Sequence, residues 1–183
     1  MKGLILLANH FEDVEALIVI DMLRRAKITI DMVSVTNSLE LITQSNISLK
    51  AEYLLEDIDL DDYDFLVVPG GKAVFETHIN SEKTLGSIYT FAVQNKLIAS
   101  ICAAPILFGK LGLLNGKDYV CFPSCKEDVE GGSYQSGKKV VVTSNIITSK
   151  AAGTTFDFAY EIIKYLKGSE EANKVLNSVY YKN

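Results

Sequence analysis

A single α/β/α sandwich with a mostly parallel central sheet is the fold that this 183-residue sequence predicts. Three observations lead to it. Short apolar runs rich in β-branched residues alternate with segments whose apolar residues recur at helical spacing. The runs are apolar throughout rather than at every second residue, as strands buried on both faces are. No repeat, low-complexity tract or linker interrupts the order, so residues 1–183 read as one domain, long enough to bury a substantial core.

Gly3 to Ala8 is the first strand, followed by the polar loop Asn9-His10-Phe11-Glu12-Asp13. A helix runs from Val14 to Ala26, with Asn9, Glu12 or Asp13 as the capping group. Between Ala16 and Ile20 it is apolar on nearly every side, which predicts burial against a second subunit as well as the sheet. Ile28 to Val35 is the next strand and completes a βαβ unit. Leu39 to Thr43 and Ile47 to Leu49, joined by Gln44-Ser45-Asn46, form a hairpin. The acidic segment from Glu56 to Asp64 is a solvated connection.

Phe65 to Val68 is a central strand ended by Pro69-Gly70-Gly71, and residues 81 to 95 are helical, with Leu85, Ile88, Tyr89 and Ala92 on one face. Leu97 to Ile101 is a short buried strand that stops at Cys102, after which Ile106, Leu107, Leu111 and Leu114 recur at helical spacing. Pro105 suits the first helical turn, where its missing N–H has no intrahelical partner. Tyr119 to Cys121, Val140 to Thr143 and Ile146 to Thr148 are short strands, separated by loops at Gly131-Gly132 and Ser136-Gly137. Phe156 to Leu166 and Ala172 to Tyr180 are a helical pair broken at Gly168.

Composition narrows the function classes. A hydrophobic content of 48%, a charged content of 22% and a net charge of −5 without a basic cluster fit a soluble globular protein and give no nucleic-acid footprint. The apolar runs are far too short for a membrane span, and the first of them is too short for a signal peptide. Three cysteines, an odd number at low density, point to the reducing cytoplasm. Cys121 and Cys125 have no second ligand pair nearby, so they read as structural and no metal site is expected. No cofactor motif is present either.

The chemistry centres on Cys102. It falls on a strand-to-helix elbow, where a helix N-terminus favours thiolate over thiol and the next N–H is free to bind an oxyanion. Ser100, Ala103 and Ala104 are small, as a sharp elbow requires. Ligand crevices of open parallel sheets lie beyond the carboxyl ends of the strands, which brings the loop after the first strand, Pro69-Gly70-Gly71 and Cys102 together. Glu15 leads into the apolar helix, where burial would keep it protonated near neutrality; Glu12, one turn earlier, is the competing carboxylate. Gly70-Gly71 lets backbone approach a ligand closely, and the N–H groups of Gly71 and Ala103 form a candidate oxyanion hole. His10 and Lys150 are candidates for contacting substrate; neither His10 nor His78 has a recognisable catalytic partner.

With these residues in place, the chain resembles the ThiJ/PfpI superfamily, in the branch of the Parkinson-disease-associated protein deglycase and its small bacterial members. The resemblance rests on Leu6-Leu7-Ala8 with Glu12-Asp13-Val14-Glu15, Asp21 to Ala26, Val67 to Gly71, Ala99 to Pro105, and Thr148-Ser149-Lys150 with Gly153 to Ala159. It implies a flavodoxin-like fold of the class I glutamine amidotransferase type and a homodimer through the first helix. It places the reactive cysteine on Cys102, the protonated glutamate on Glu15 and the oxyanion amides on Gly71 and Ala103. The activity it implies is that of a glyoxalase III-type lyase or a deglycase hydrolase, working without a cofactor on methylglyoxal, glyoxal or their early adducts. The alternative is an oxidative-stress sensor or redox-regulated chaperone that uses an oxidation-prone cysteine. Two departures stand out. Phe122-Pro123 occupies the position where many relatives carry a histidine, so a Cys–His dyad is not expected. Lys150-Ala151-Ala152 replaces arginine or glutamine followed by glycine and proline.

Overall fold

The structure, a computed structural model, describes residues 1–181. The strands are β1 (Lys2–Leu7), β2 (Thr29–Ser34), β3 (Glu40–Ile42), β4 (Ser48–Lys50), β5 (Tyr53–Leu54), β6 (Phe65–Val68), β7 (Leu97–Ile101), β8 (Asp118–Tyr119), β9 (Ser133–Tyr134), β10 (Val140–Thr143) and β11 (Ile146–Ser149). The α-helices are α1 (Asp13–Arg25), α2 (Ala73–Glu76), α3 (Glu82–Val93), α4 (Pro105–Lys110), α5 (Thr155–Lys167) and α6 (Ser169–Ser178). Seven strands form one sheet in the order β10-β11-β7-β6-β1-β2-β5. All its neighbours are parallel except β10 and β11, which are antiparallel.

The continuous apolar runs occupy the middle of this sheet. Every residue of β6 and β7 is buried, as are residues 3–7 of β1, because helices cover both faces and no position of a central strand reaches water. α1, α5 and α6 pack on one another, with α1 against β2 and α5 against β11, while α3 packs against β6 and β7. Gly3 makes room for one close approach: a Cβ there would sit 2.1 Å from the Phe65 ring of the neighbouring strand.

Several local expectations are revised. α1 has no side-chain cap: Asn9 Oδ1 accepts instead from Ile42 N–H at 3.0 Å, and Glu12 and Asp13 are engaged by the hairpin tip. The hairpin is present as β3–β4, but it is tied to the start of α1 rather than projecting freely. In α3 the buried face is Thr84, Ser87, Ile88 and Phe91, and Tyr89 is 52% exposed, since the sheet meets the helix about one residue away from the richest apolar stripe. The segments β5, β9 and α2 are too short for periodicity to reveal. The acidic stretch is a connection, as expected, folded into two single turns with Asp59 Oδ1 accepting from Asp61 N–H at 3.0 Å.

Candidate active site

β7 ends at Ile101, and Cys102 takes φ +65°, a left-handed conformation that costs a non-glycine residue on the order of 1–3 kcal/mol. The surroundings hold it there. Cys102 N–H donates to Ser149 C=O at 3.0 Å, and Cys102 C=O accepts from Phe122 N–H at 2.8 Å. α4 then starts at Pro105, its first residue, as the sequence predicts. The elbow thus lifts the cysteine side chain out of the sheet at the carboxyl edge of β7, where it is half-buried.

Glu15 arrives from α1, whose inner face carries Glu15, Ala16, Val19, Ile20, Met22 and Leu23. It is fully buried, and its Oε2 accepts from Gly70 N–H at 2.8 Å. Gly70 is where the two chemical groups meet. A methyl group added to it would lie 2.8 Å from Glu15 Oε2, 2.6 Å from Cys102 Cβ and 3.1 Å from Cys102 Sγ. Glu15, not Glu12, is therefore the carboxyl beside the sulfur. Glu12 Oε2 accepts instead from Gln44 Nε2 at 2.7 Å.

Burial raises Glu15 to about 7, winning over the Gly70 N–H and Cys102 contacts that favour its charge. Burial also pushes the Cys102 thiol up, and repulsion from Glu15 pushes it further. The N–H groups of Ala103 and Gly71 act on the sulfur in the opposite sense. A helix N-terminus contributes only about 0.3–1 kcal/mol, whereas removing an ion from water costs several. A six-residue α4 supplies little against that cost, so the lean toward thiolate expected at the elbow is opposed by burial and by the neighbouring Glu15. The sulfur and the carboxyl behave as a coupled pair in one enclosed space, and a charge on one suppresses a charge on the other.

The two amides are positioned by different loops. Gly71 has φ +91°, and a Cβ on it would come within 2.6 Å of both Glu12 N and His10 O, so only glycine fits. Among the described residues, neither Gly71 N–H nor Ala103 N–H donates to a backbone carbonyl. The tip of the β3–β4 hairpin fixes this loop from outside. Lys72 N–H donates to Gln44 Oε1 at 3.0 Å, Gln44 N–H to Phe11 C=O at 2.9 Å, and Ser45 Oγ to Asp13 Oδ2 at 2.6 Å. Sequence reasoning treats Gln44 as a turn residue; its link to Glu12 spans 32 positions, and nothing local announces it.

A cleft of about 430 Å³ opens over the sulfur and is bordered by Glu15, Gly71, Phe75, Cys102, Phe122 and Ala152, among others. Two predicted contacts fall outside it. The His10 imidazole points to Glu76, with Nδ1 2.6 Å from Oε2, and Lys150 Nζ donates to Ser136 C=O at 2.6 Å. Gly70 is buried behind the cleft, where it holds Glu15 rather than a ligand. Cys121 is fully buried, whereas Cys125 lines the cleft wall. His78 is also enclosed, and burial pushes it down to about 4.

A left-handed residue between a central parallel strand and a helix, facing the carboxyl edge of an open sheet, defines a flavodoxin-like α/β protein with a strand-to-helix elbow at its crevice. The chain belongs to the DJ-1/PfpI family, whose model matches residues 1–165. Protein DJ-1 homolog B of Arabidopsis thaliana is 35% identical over 169 residues, 92% of this chain but 38% of that protein, so the chain spans well under half of that relative. A Pyrococcus horikoshii protein named a deglycase is 28% identical over 168 residues, 91% of this chain and 100% of its own length. The crystal structure of Drosophila melanogaster DJ-1beta superposes with a TM-score of 0.94 at 29% identity, covering 100% of both chains.

Proposed function

We propose that the protein is a cysteine-dependent glyoxalase or deglycase acting on methylglyoxal, glyoxal or their early adducts on proteins and nucleotides. One observation carries this reading: a single site brings together a half-buried sulfur, a carboxyl raised to about 7 and two backbone N–H groups, of Gly71 and Ala103, that act on the sulfur. A base with a pKa near the working pH is the one best matched to proton transfer. The deglycase relative supports the same class of chemistry.

As the Cys102 sulfur adds to the aldehyde carbon, Glu15 takes the thiol proton. The carbonyl electron pair moves onto oxygen, which accepts hydrogen bonds from Gly71 and Ala103 N–H and then takes back the proton from Glu15 to give a hemithioacetal, leaving Glu15 ionised. Ionised Glu15 next removes the proton from the former aldehyde carbon and returns one to the neighbouring carbon, while the hydroxyl proton of the first carbon passes to the oxygen of the second. This oxidises the first carbon to a thioester and reduces the second to an alcohol, with no external oxidant. Water cleaves the thioester, freeing the thiol and a 2-hydroxy acid.

The test is conversion of methylglyoxal in D₂O, followed by NMR. Lactate carrying deuterium at the hydroxyl-bearing carbon is expected, because the sulfur and carboxyl pair that handles the proton equilibrates with D₂O between turnovers and the proton Glu15 returns is drawn from that pool. Absence of lactate rejects the reading. The redox reading is favoured by the same half-buried sulfur, the least enclosed of the three cysteines. Selective peroxide oxidation of Cys102 to sulfinate without lactate formation would establish that role instead.

We further propose a homodimer through α1. Val14 and Leu17, 40% and 38% exposed, give this helix an apolar outer edge. Sedimentation equilibrium should find a dimer that Leu17→Glu dissociates; a wild-type monomer rejects the proposal.

A further inference from the structure

Phe75 and Phe122 both border the cleft over Cys102, yet they remain 49% and 42% exposed. Each is fixed to one half of the amide pair. Phe75 lies in α2, which starts two residues after Gly71, where Val74 N–H donates to Gly71 C=O at 3.3 Å and Phe75 N–H to Lys72 C=O at 3.0 Å. Phe122 donates its N–H to the carbonyl of Cys102 itself, at 2.8 Å. Backbone that sets the oxyanion site therefore also sets where the two rings stand relative to the sulfur.

A cleft of about 430 Å³ falls in the range that encloses drug-sized ligands, far more than a two- or three-carbon aldehyde fills. Half-exposed aromatic rings gain from burial against an apolar ligand, and ring faces and edges favour an aryl group in particular. We propose that Phe75 and Phe122 form an apolar subsite for the substituent of the carbonyl substrate. The site then prefers α-oxoaldehydes bearing an aryl or bulky alkyl group over methylglyoxal and glyoxal. This assignment rests on the glyoxalase reading for its chemistry but on the cleft alone for its selectivity.

The experiment measures kcat/KM for phenylglyoxal and methylglyoxal in the wild type, Phe75→Ala and Phe122→Ala. A wild-type preference for phenylglyoxal is expected, and each substitution should lower the ratio of the two values about tenfold, the scale of discrimination by an apolar pocket. Both side chains are half-exposed, so the variants should fold, as circular dichroism will verify. A second measurement is independent of turnover: the rate at which N-phenylmaleimide and N-methylmaleimide alkylate Cys102, followed by peptide mass spectrometry. The aryl-to-methyl rate ratio should fall in both variants. Ratios unchanged in both variants would overturn the subsite. If the wild type turns over neither aldehyde, the glyoxalase reading fails, and the maleimide ratios alone decide the subsite.

Discussion

Cys102→Ser should lower the conversion of methylglyoxal to lactate by at least about 1,000-fold, roughly 4 kcal/mol of lost transition-state stabilisation. Serine fits the same elbow, so the backbone bonds to Ser149 and Phe122 and the left-handed φ should persist. What changes is nucleophilicity: a hydroxyl gives up its proton far less readily than a thiol, and a carboxyl raised only to about 7 is too weak a base to make up the difference. The Gly71 and Ala103 amides and the cleft remain, so any residual rate reports their contribution alone. The measurement is initial rate of lactate formation alongside thermal unfolding. A variant that folds normally and matches the wild type would show that the sulfur takes no part in turnover.

Glu15 should make the wild type progressively less stable as pH rises from about 4.5 to about 7. Its carboxyl has an ordinary value of 4.5, which burial raises to about 7 on folding. Between those values the folded state holds a proton that the unfolded chain releases, so raising the pH favours unfolding. At 1.36 kcal/mol per pKa unit the loss is about 3 kcal/mol, and it is complete once pH passes the folded value. Glu15→Gln abolishes this contribution while leaving an amide oxygen able to accept from Gly70 N–H. Urea unfolding at a series of pH values should give a variant whose stability, relative to wild type, climbs by about 3 kcal/mol between pH 4 and pH 8. A constant difference would mean that Glu15 is not the group held protonated by burial. The two experiments also separate roles, because loss of activity in Glu15→Gln without the pH signature would point to a positional effect.

The framework was legible from local pattern. Leu97–Ile101 and Phe65–Val68 are strands with the predicted bounds because an unbroken apolar run between turn residues has few other solutions in a sheet covered on both faces. Pro105 opens α4 for a reason contained in its own chemistry, the missing N–H. The elbow at Cys102 follows from those two facts. Short pieces escaped: a two-residue β5 or a four-residue α2 has no period to read. Composition identified acidic and basic side chains near the site but not their direction. His10 turns to Glu76 and Lys150 to Ser136, choices made by neighbours 66 and 14 positions away.

What the sequence determined by itself is where strands end, where the cysteine bends out of the sheet and which glycines could carry a bare backbone, since these depend on residues a few positions apart. Only the tertiary structure decided that Glu15 meets the sulfur, through a Gly70 hydrogen bond spanning 55 positions, and that Glu12 is held aside by Gln44. It also decided the balance of charge there. Loss of water around a sulfur and a carboxyl is a property of everything packed against them, so it exists only once the chain has folded.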